Sequence, residues 1–301
     1  MEELRLSPLN VTPASLLLTD RVAVVTGAAQ GIGRACAIAL AEFGCDLAIS
    51  DRSAGALGEV AAAIRGIGRQ CVTGVLDVRD GEQVRAHIAE VGATFGRVDV
   101  LVNNAGGGFF ADFLAVNEKG QDSLIRENFT SVTNFIRACD AWFPMEGASI
   151  INMTSIEAHR AAPGFAVYAA MKTAVMSLSR SLALELGDRR IRVNCIAMDV
   201  IPTPGIGVAM GNHTPIPMVA DVGDVAGAAV YLASDLARFV TGSTIHVDGG
   251  NLAAAGWIRQ PDGSFGTGGV ATAPGATMIG TRESRNVEGA AGGRTPTKGD
   301  V

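Results

Sequence analysis

Aromatic side chains are scarce in this chain. Phe, Trp and Tyr make up 5% of its 301 residues, and only two of them, Tyr168 and Tyr231, are tyrosines. Cysteine is scarce too: Cys36, Cys45, Cys71, Cys139 and Cys195 are scattered, odd in number and form no CxxC pair. That pattern argues against a disulfide framework and against zinc, so no metal site is expected. Lys and Arg form no block, and 24 of them against 30 Asp and Glu leave a formal net charge of −6. Nucleic acid and anionic membrane are therefore not expected as partners. No uninterrupted apolar run approaches the ~20 residues of a membrane helix. The start, Met1-Glu2-Glu3, carries the wrong charge for a signal peptide. The expected setting is reducing and cytoplasmic.

What is present is a large apolar fraction, 48%, enough for a full core. From about position 20, short β-branched runs alternate with longer helical stretches. Strands are expected at 21–27, 45–51, 70–78, 98–106, 148–155, 191–198 and 243–250. Helices are expected at 31–44, 54–68, 81–96, about 119–141, 165–187 and 221–236. Seven apolar strands alternating with helices imply an α/β fold with a doubly wound parallel sheet, covered on both faces. Ligands then bind at the carboxyl ends of the strands.

The ends differ from this body. Residues 1–19 read as a short arm, 20–250 as one domain, and 251–301 as a Gly-, Ala-, Thr- and Pro-rich extension whose distal part reads as low complexity. Within the extension, "WIRQPDGSF" (257–265) carries a Pro-Asp-Gly turn between apolar ends, a hairpin pattern. Two readings stand for it: a segment folded over a site, or a loose tail.

"TGAAQGIG" (26–33) joins the first strand to the first helix. Gly27 permits a sharp turn, while Gly31 and Gly33 let backbone approach a ligand and let helix pack on strand. The helix N-terminus then offers N–H groups and partial positive charge to a diphosphate. Gln30 and Ile32 complete this cofactor-facing turn. Asp51 closes the second strand, placed to accept hydrogen bonds from an adenosine ribose and to repel a 2′-phosphate. Arg52 follows and is the one neighbouring group suited to such a phosphate; Gln30 adds no charge. NAD is expected over NADP.

"TGAAQGIG", "NNAG" (103–106), Ser155, "YAAMK" (168–172) and "VDGG" (247–250), in this order and spacing, resemble the single-domain short-chain dehydrogenase/reductase family over about residues 20–250. The resemblance implies a Rossmann-type sheet, a small-molecule substrate and a homo-oligomer, dimer or tetramer. It assigns Gly27, Gly31 and Gly33 to the cofactor cradle and Asp51 to the adenosine ribose. Asp77 and Val78 would lie beside the adenine. Asn103, Asn104, Ala105 and Gly106 would support the cofactor's central part. Ile201 and Thr203 would touch its nicotinamide end. Asn128 would organise a water near the lysine, and Ser155, Tyr168 and Lys172 would carry the chemistry.

Residues four apart on a helix share a face. An ammonium at 172 is therefore expected to draw the Tyr168 phenol below its reference pKa of ~10, toward the range where a general base works best. Tyr168 would take an alcohol's proton or give one to a ketone, Ser155 would hydrogen-bond that oxygen, and Lys172 would also bind the nicotinamide ribose. The implied function is NAD-dependent interconversion of a secondary alcohol and a ketone. Three other readings are weighed: reduction of 3-oxoacyl thioesters, enoyl reduction, disfavoured because that branch of the family has a longer Tyr–Lys spacing, and a non-catalytic NAD(H)-binding sensor.

Three segments face the substrate in this family: "GGFFADF" (107–113), "IEAHRAAPGF" (156–165) and the stretch from 203 to 220, read as a lid. Phe109, Phe110 and Phe113 suggest an apolar pocket for a bulky steroid- or terpenoid-like alcohol, or else pack a helix or an interface. His159 and Arg160 read either as partners of an acidic substrate group or as solvated rim residues. His213 carries no role. The family's usual Pro-Gly after "RVN" is replaced by Met198-Asp199. Asp199 reads either as a carboxylate turned into the site or as a tolerated loop substitution.

Overall fold

In the computed structural model, residues 11–204 and 214–259 are described, with the backbone of 265–267. The Val-, Ile- and Ala-rich runs form β1 (Val22–Thr26), β2 (Asp46–Asp51), β3 (Cys71–Val75), β4 (Val100–Asn103), β5 (Ala148–Ser155), β6 (Ile191–Met198) and β7 (Thr244–Val247). They pair in parallel in the order β3-β2-β1-β4-β5-β6-β7. The helices are α1 (Gly31–Glu42), α2 (Ala54–Gly66), α3 (Gly81–Phe95), α4 (Glu118–Ile125), α5 (Ser131–Cys139), α6 (Ala166–Glu185), α7 (Val222–Ala233) and the short α8 (Asn251–Ala254). This is the doubly wound Rossmann-type α/β fold expected from the sequence.

Strand side chains alternate between faces, so one strand serves two cores. In β1, Ala23 and Val25 pack into the cluster holding Leu40 of α1, Ile64 of α2 and Val230 of α7. Val22 and Val24 pack into the opposite cluster with Ile88 of α3, Phe135 of α5 and Val175 of α6. A strand buried on both sides cannot alternate polar and apolar residues, hence the continuous apolar runs.

Three strands are shorter than expected. β3 ends at Val75 because its neighbour β2 ends at Asp51, the residue paired with it; Leu76, Asp77 and Val78 have no further strand to join. β4 runs only from 100 to 103, because Asn104 turns back and binds Thr26. β7 spans four residues. The long helix expected over 119–141 is interrupted. Between α4 and α5 lies one π turn, Arg126–Thr130, closed by the Ser131 N–H bonding the Arg126 carbonyl five residues back. The helical periodicity of the sequence continues through it, so the extra residue leaves no trace in the pattern.

A separate unit begins at Gly256. In it, β8 (Trp257–Arg259) and β9 (Phe265–Thr267) pair antiparallel, as the turn signal between them leads one to expect. Residues 205–213 of the expected lid, including His213, lie outside the described residues, as do 1–10, 260–264 and 268–301.

Candidate active site

β1 and β4 are neighbours, and the chain leaves them in opposite lateral directions, toward β2 and toward β5. The crevice at their carboxyl ends opens into a cavity of about 700 Å³. This is where a doubly wound sheet places its ligand site.

The cavity's first wall is the β1–α1 turn. Gly27, Gln30, Gly31, Ile32 and Gly33 all line it. A Cβ at Gly33 would lie 2.1 Å from the Gly27 carbonyl oxygen and 2.5 Å from Asn104 Nδ2, so no side chain fits. Asn104 Nδ2 donates to the carbonyls of Thr26 (2.9 Å) and Gly27 (3.1 Å), pinning the end of β4 to the turn. Thr26 Oγ1 accepts from the backbone N–H of Asn104 at 3.0 Å and of Ala105 at 2.9 Å.

Asp51 and Arg52 stand at one end. The Asp51 carboxylate accepts from Ala29 N at 3.1 Å and from Ser53 N at 3.0 Å, which fixes its plane. Among the described residues Arg52 reaches only Glu127, at 3.9 Å. Leu76 and Val78 line this end, and Asp77 does not. The Asp77 carboxylate is taken by Arg79, whose Nε stands 2.9 and 3.0 Å from its two oxygens, and this ion pair holds its pKa below the usual range.

At the other end stand Ser155, the last residue of β5, and Tyr168 and Lys172, one turn apart on α6. The Ser155 hydroxyl, which accepts from Glu157 N at 3.2 Å, stands close enough to the Tyr168 phenol to favour its ionised form. Lys172 is 5% exposed; its Nζ donates to the Met153 carbonyl at 3.0 Å and lies 5.5 Å from the Tyr168 ring centroid. Burial pushes the Lys172 pKa down to about 8. The Tyr168 pKa is raised, with burial the largest cause; the Ser155 hydroxyl opposes it and the Glu157 carboxylate adds to it. This corrects the expected downward shift. The ammonium stands over the ring, and desolvation disfavours the charged forms of both groups.

Asn128 is fully buried in the π turn and does not line the cavity. Its Oδ1 accepts from Gly107 N at 3.1 Å; its Nδ2 donates to Gly107 O at 2.8 Å and to Leu124 O at 3.0 Å. It holds the segment after β4 against the helix. A Cβ at Gly106 would lie 2.8 Å from Asn128 Oδ1 and 3.1 Å from Lys172 Nζ, so the three residues close on one another. Asn103 is buried beneath, donating to Asn152 Oδ1 at 2.8 Å. Ala105, Gly106, Ile201 and Thr203 line the cavity.

On the substrate side, Phe110 is the one of the three clustered phenylalanines that lines the cavity. It meets Phe165 edge-on (centroids 5.7 Å apart), and Phe165 meets Tyr168 likewise at 6.3 Å. Phe109 and Phe113 lie instead in a shallow dimple with Val116 and Leu124. His159 and Arg160 do not line the cavity. His159 faces His246, with Nε2 atoms 3.2 Å apart, and Arg160 binds Glu157 and Asn251. Asp199 does line it. Of the lining residues, Met153 escaped the sequence reading, while Glu157 lies in the 156–165 segment expected to face the substrate. Met153 acts through its backbone carbonyl, which no motif marks; Phe165 sits inside the segment already expected to face substrate.

Known proteins resemble this chain in sequence and fold. A family model described as Enoyl-(Acyl carrier protein) reductase matches residues 27–251. The uncharacterized oxidoreductase MT0954 of Mycobacterium tuberculosis is 35% identical over 245 residues, covering 77% of this chain and 92% of that one. The 3-oxoacyl-[acyl-carrier-protein] reductase FabG of Staphylococcus epidermidis is 36% identical over 242 residues, covering 77% and 98%. A 7 alpha-hydroxysteroid dehydrogenase, solved in complex with NADH and 7-oxo glycochenodeoxycholic acid, superposes with a TM-score of 0.76 at 31% identity, covering 80% and 97%. The chain belongs to the short-chain dehydrogenase/reductase family and is an oxidoreductase.

The fold family implies a nicotinamide dinucleotide, and the residues present fit one. The cavity runs without a break from the glycine turn and Asp51 to Tyr168 and Lys172, and the side-chain-free cradle at Gly33 leaves α1's first N–H groups open to a diphosphate. Among the described residues no helix is long and apolar enough to cross a membrane, and no three His, Cys, Asp or Glu side chains cluster as metal ligands do.

Proposed function

We propose that the protein interconverts a secondary alcohol and a ketone with NAD as cofactor, on a bulky hydrophobic substrate. The observation that carries this reading is the position of Ser155, Tyr168 and Lys172 at one end of a cavity whose other end is the glycine turn and Asp51. Hydride chemistry belongs to the nicotinamide when it is bound. The side chains move the proton and hold the oxygen. Tyr168 accepts the hydroxyl proton in oxidation and donates it in reduction. Ser155 bonds the same oxygen and supports charge building on it. Lys172 supplies a positive charge behind the ring, fixed by the Met153 carbonyl. Asn128 is a positioning residue that holds the Gly107 segment.

Asp51 supports NAD over NADP, since a fixed carboxylate meets ribose hydroxyls and repels a 2′-phosphate. Phe110, Phe165 and Met198 support an apolar substrate body, and the steroid complex of a related structure agrees with a large one. A second reading, reduction of 3-oxoacyl thioesters, is favoured by the 36% identity to FabG. We further propose a homo-oligomer, dimer or tetramer, on the family resemblance.

The test follows absorbance at 340 nm with NAD+ and secondary alcohols, then NADH and ketones, across steroids, terpenoids and acyl thioesters, with Tyr168→Phe as control. Turnover of a polycyclic alcohol that disappears in the control supports the reading. Preference for the thioesters transfers it to the second reading. NADH binding without turnover of any member marks a cofactor-binding protein of another kind.

A further inference from the structure

Four polar side chains form a chain around the substrate end of the cavity. Glu157 and Arg160 follow Ser155; Asp199 follows β6; Asn251 opens α8. Arg160 Nη2 donates to Glu157 Oε1 at 2.9 Å and Nε to Oε2 at 3.4 Å. Arg160 Nη1 donates to Asn251 Oδ1 at 3.4 Å, and Asn251 Nδ2 donates to Asp199 Oδ2 at 2.7 Å. The amide's orientation follows from its ends. Its oxygen must face the guanidinium and its NH₂ the carboxylate, since Arg only donates and an ionised Asp only accepts.

Of these four, only the two carboxylates line the cavity. Neither Arg160 nor Asn251 lines it, and each already donates within this chain of side chains. The cavity wall has two cations among the described residues. Arg52 is at the Asp51 end, and Lys172 is buried with its Nζ on the Met153 carbonyl. The substrate end is thus apolar on the Phe110 and Phe165 side and anionic on the Glu157 and Asp199 side. Asp199 is fixed through one oxygen. Among the described residues no group donates to the other, which leaves an acceptor at the wall. Backbone holds the position too: Asp199 N donates to Val247 O at 3.2 Å, which extends the β6–β7 ladder by one bond.

We propose that Asp199 is a specificity-determining residue: its carboxylate accepts a hydrogen bond from a second, donor-bearing substituent of the substrate, hydroxyl or ammonium, and with Glu157 it excludes substrates bearing a carboxylate or phosphate. An acceptor-only wall group gains from a donor and is left facing another acceptor by an anion. The inference rests on the proposed alcohol–ketone reading for where the substrate lies. Asp199→Asn separates charge from structure. Its amide oxygen still accepts from Asn251, while the negative charge is gone.

The experiment measures Kd by calorimetry on the NADH-loaded full chain for 2-decalone and its 6-hydroxy, 6-amino and 6-carboxy derivatives. Wild type, Asp199→Asn and, as a control for net charge, Glu90→Gln on the exposed face of α3 are compared, with folding checked by thermal melting. In wild type the hydroxy or amino derivative is expected to bind at least tenfold more tightly than the carboxy derivative. The pair also names the donor. Asp199→Asn should shrink that ratio by about tenfold, and Glu90→Gln should leave it unchanged. Equal or tighter binding of the carboxy derivative by wild type overturns the proposal. So does a ratio that Asp199→Asn leaves intact, or no measurable binding of either donor-bearing derivative. Failure of the alcohol–ketone reading shows separately, as absent NADH oxidation with every ketone while the binding ratio still reports on Asp199.

Discussion

Asn128 and Gly107 exchange a pair of hydrogen bonds, side-chain amide to peptide group, at 3.1 and 2.8 Å. A single side chain thereby imitates one rung of a β-ladder between a helix and the loop after β4. Asn128→Ala would leave both Gly107 groups without that partner in a partly buried place. The expected outcome is a loss of about 2 kcal/mol in stability. Because the loop carries Gly106 and Gly108 against Lys172 and Tyr168, kcat should fall by at least tenfold. Chemical denaturation and steady-state kinetics check the two parts. Asn128→Asp, which keeps the acceptor, should recover part of the first.

Tyr168 has a raised pKa, so near neutrality the phenol holds its proton. Ketone reduction needs that form and alcohol oxidation needs the other. Oxidation kcat/KM should therefore climb with pH, by about tenfold per unit below the phenol's pKa, while reduction stays nearly flat from pH 6 to 8. Tyr168→Phe should lower kcat in both directions by about 10²–10⁴ and keep NADH binding, read by fluorescence. A reduction rate that tracks the oxidation rate across pH would remove Tyr168 as the proton carrier.

Lys172 is held in the core with its pKa pushed down to about 8. The unfolded chain keeps that proton to about 10.5, so the burial penalty is full below pH 8 and fades as pH rises toward 10.5. Lys172→Met should stabilise the fold by about 1–3 kcal/mol at pH 7 and abolish turnover. Melting curves at pH 7 and pH 10 should show the gain at the lower pH and little at the higher.

His87 lies inside α3 with neither ring nitrogen hydrogen-bonded among the described residues, its ring packed on Gly74 of β3. Burial pushes its pKa down to about 4 from 6.5. As pH falls through this window the unfolded chain takes up a proton that the native state refuses, so stability drops from pH 6.5 and the loss is complete near pH 4. The contribution is about 3 kcal/mol. His87→Leu should flatten that limb of the stability–pH curve; an unchanged limb would assign acid sensitivity to other groups.

Asp51 accepts from two backbone N–H groups beside the glycine turn. Asp51→Ser removes the charge that opposes a 2′-phosphate and leaves Arg52 exposed beside it. The ratio of kcat/KM for NADP+ over NAD+ should rise by about tenfold or more, roughly 1.4 kcal/mol. An unchanged ratio would place cofactor choice elsewhere.

The sheet was legible because its strands are buried on both faces, and continuous apolar runs between glycines mark such strands. β5 and β6 occupy the residues expected of them. Strand ends were less legible, since they depend on the neighbour: β3 stops at Val75 because β2 does. The π turn was invisible, as one extra helical residue leaves the apolar rhythm of Leu124, Val132 and Phe135 readable as a single helix. Spacing brought Tyr168 and Lys172 together correctly but gave the wrong sign for the phenol. Spacing carries no information about desolvation, which dominates both groups. Asp77 was placed by motif alone; its occupation by Arg79, two residues on, is a contact that the motif does not encode. The same holds for Asp199, whose partner Asn251 lies 52 residues away.

The π turn also means that the chain is one residue longer there than its helix requires. Removing one residue from 126–130 would let α4 and α5 join as an unbroken α-helix, with the buried faces of both still turned to the core. The shortened chain would exchange a wide turn for regular helical bonding and would carry Asn128's amide away from Gly107. Folding and site assembly thus make opposite demands on one peptide unit, and the natural length of this segment answers to the site.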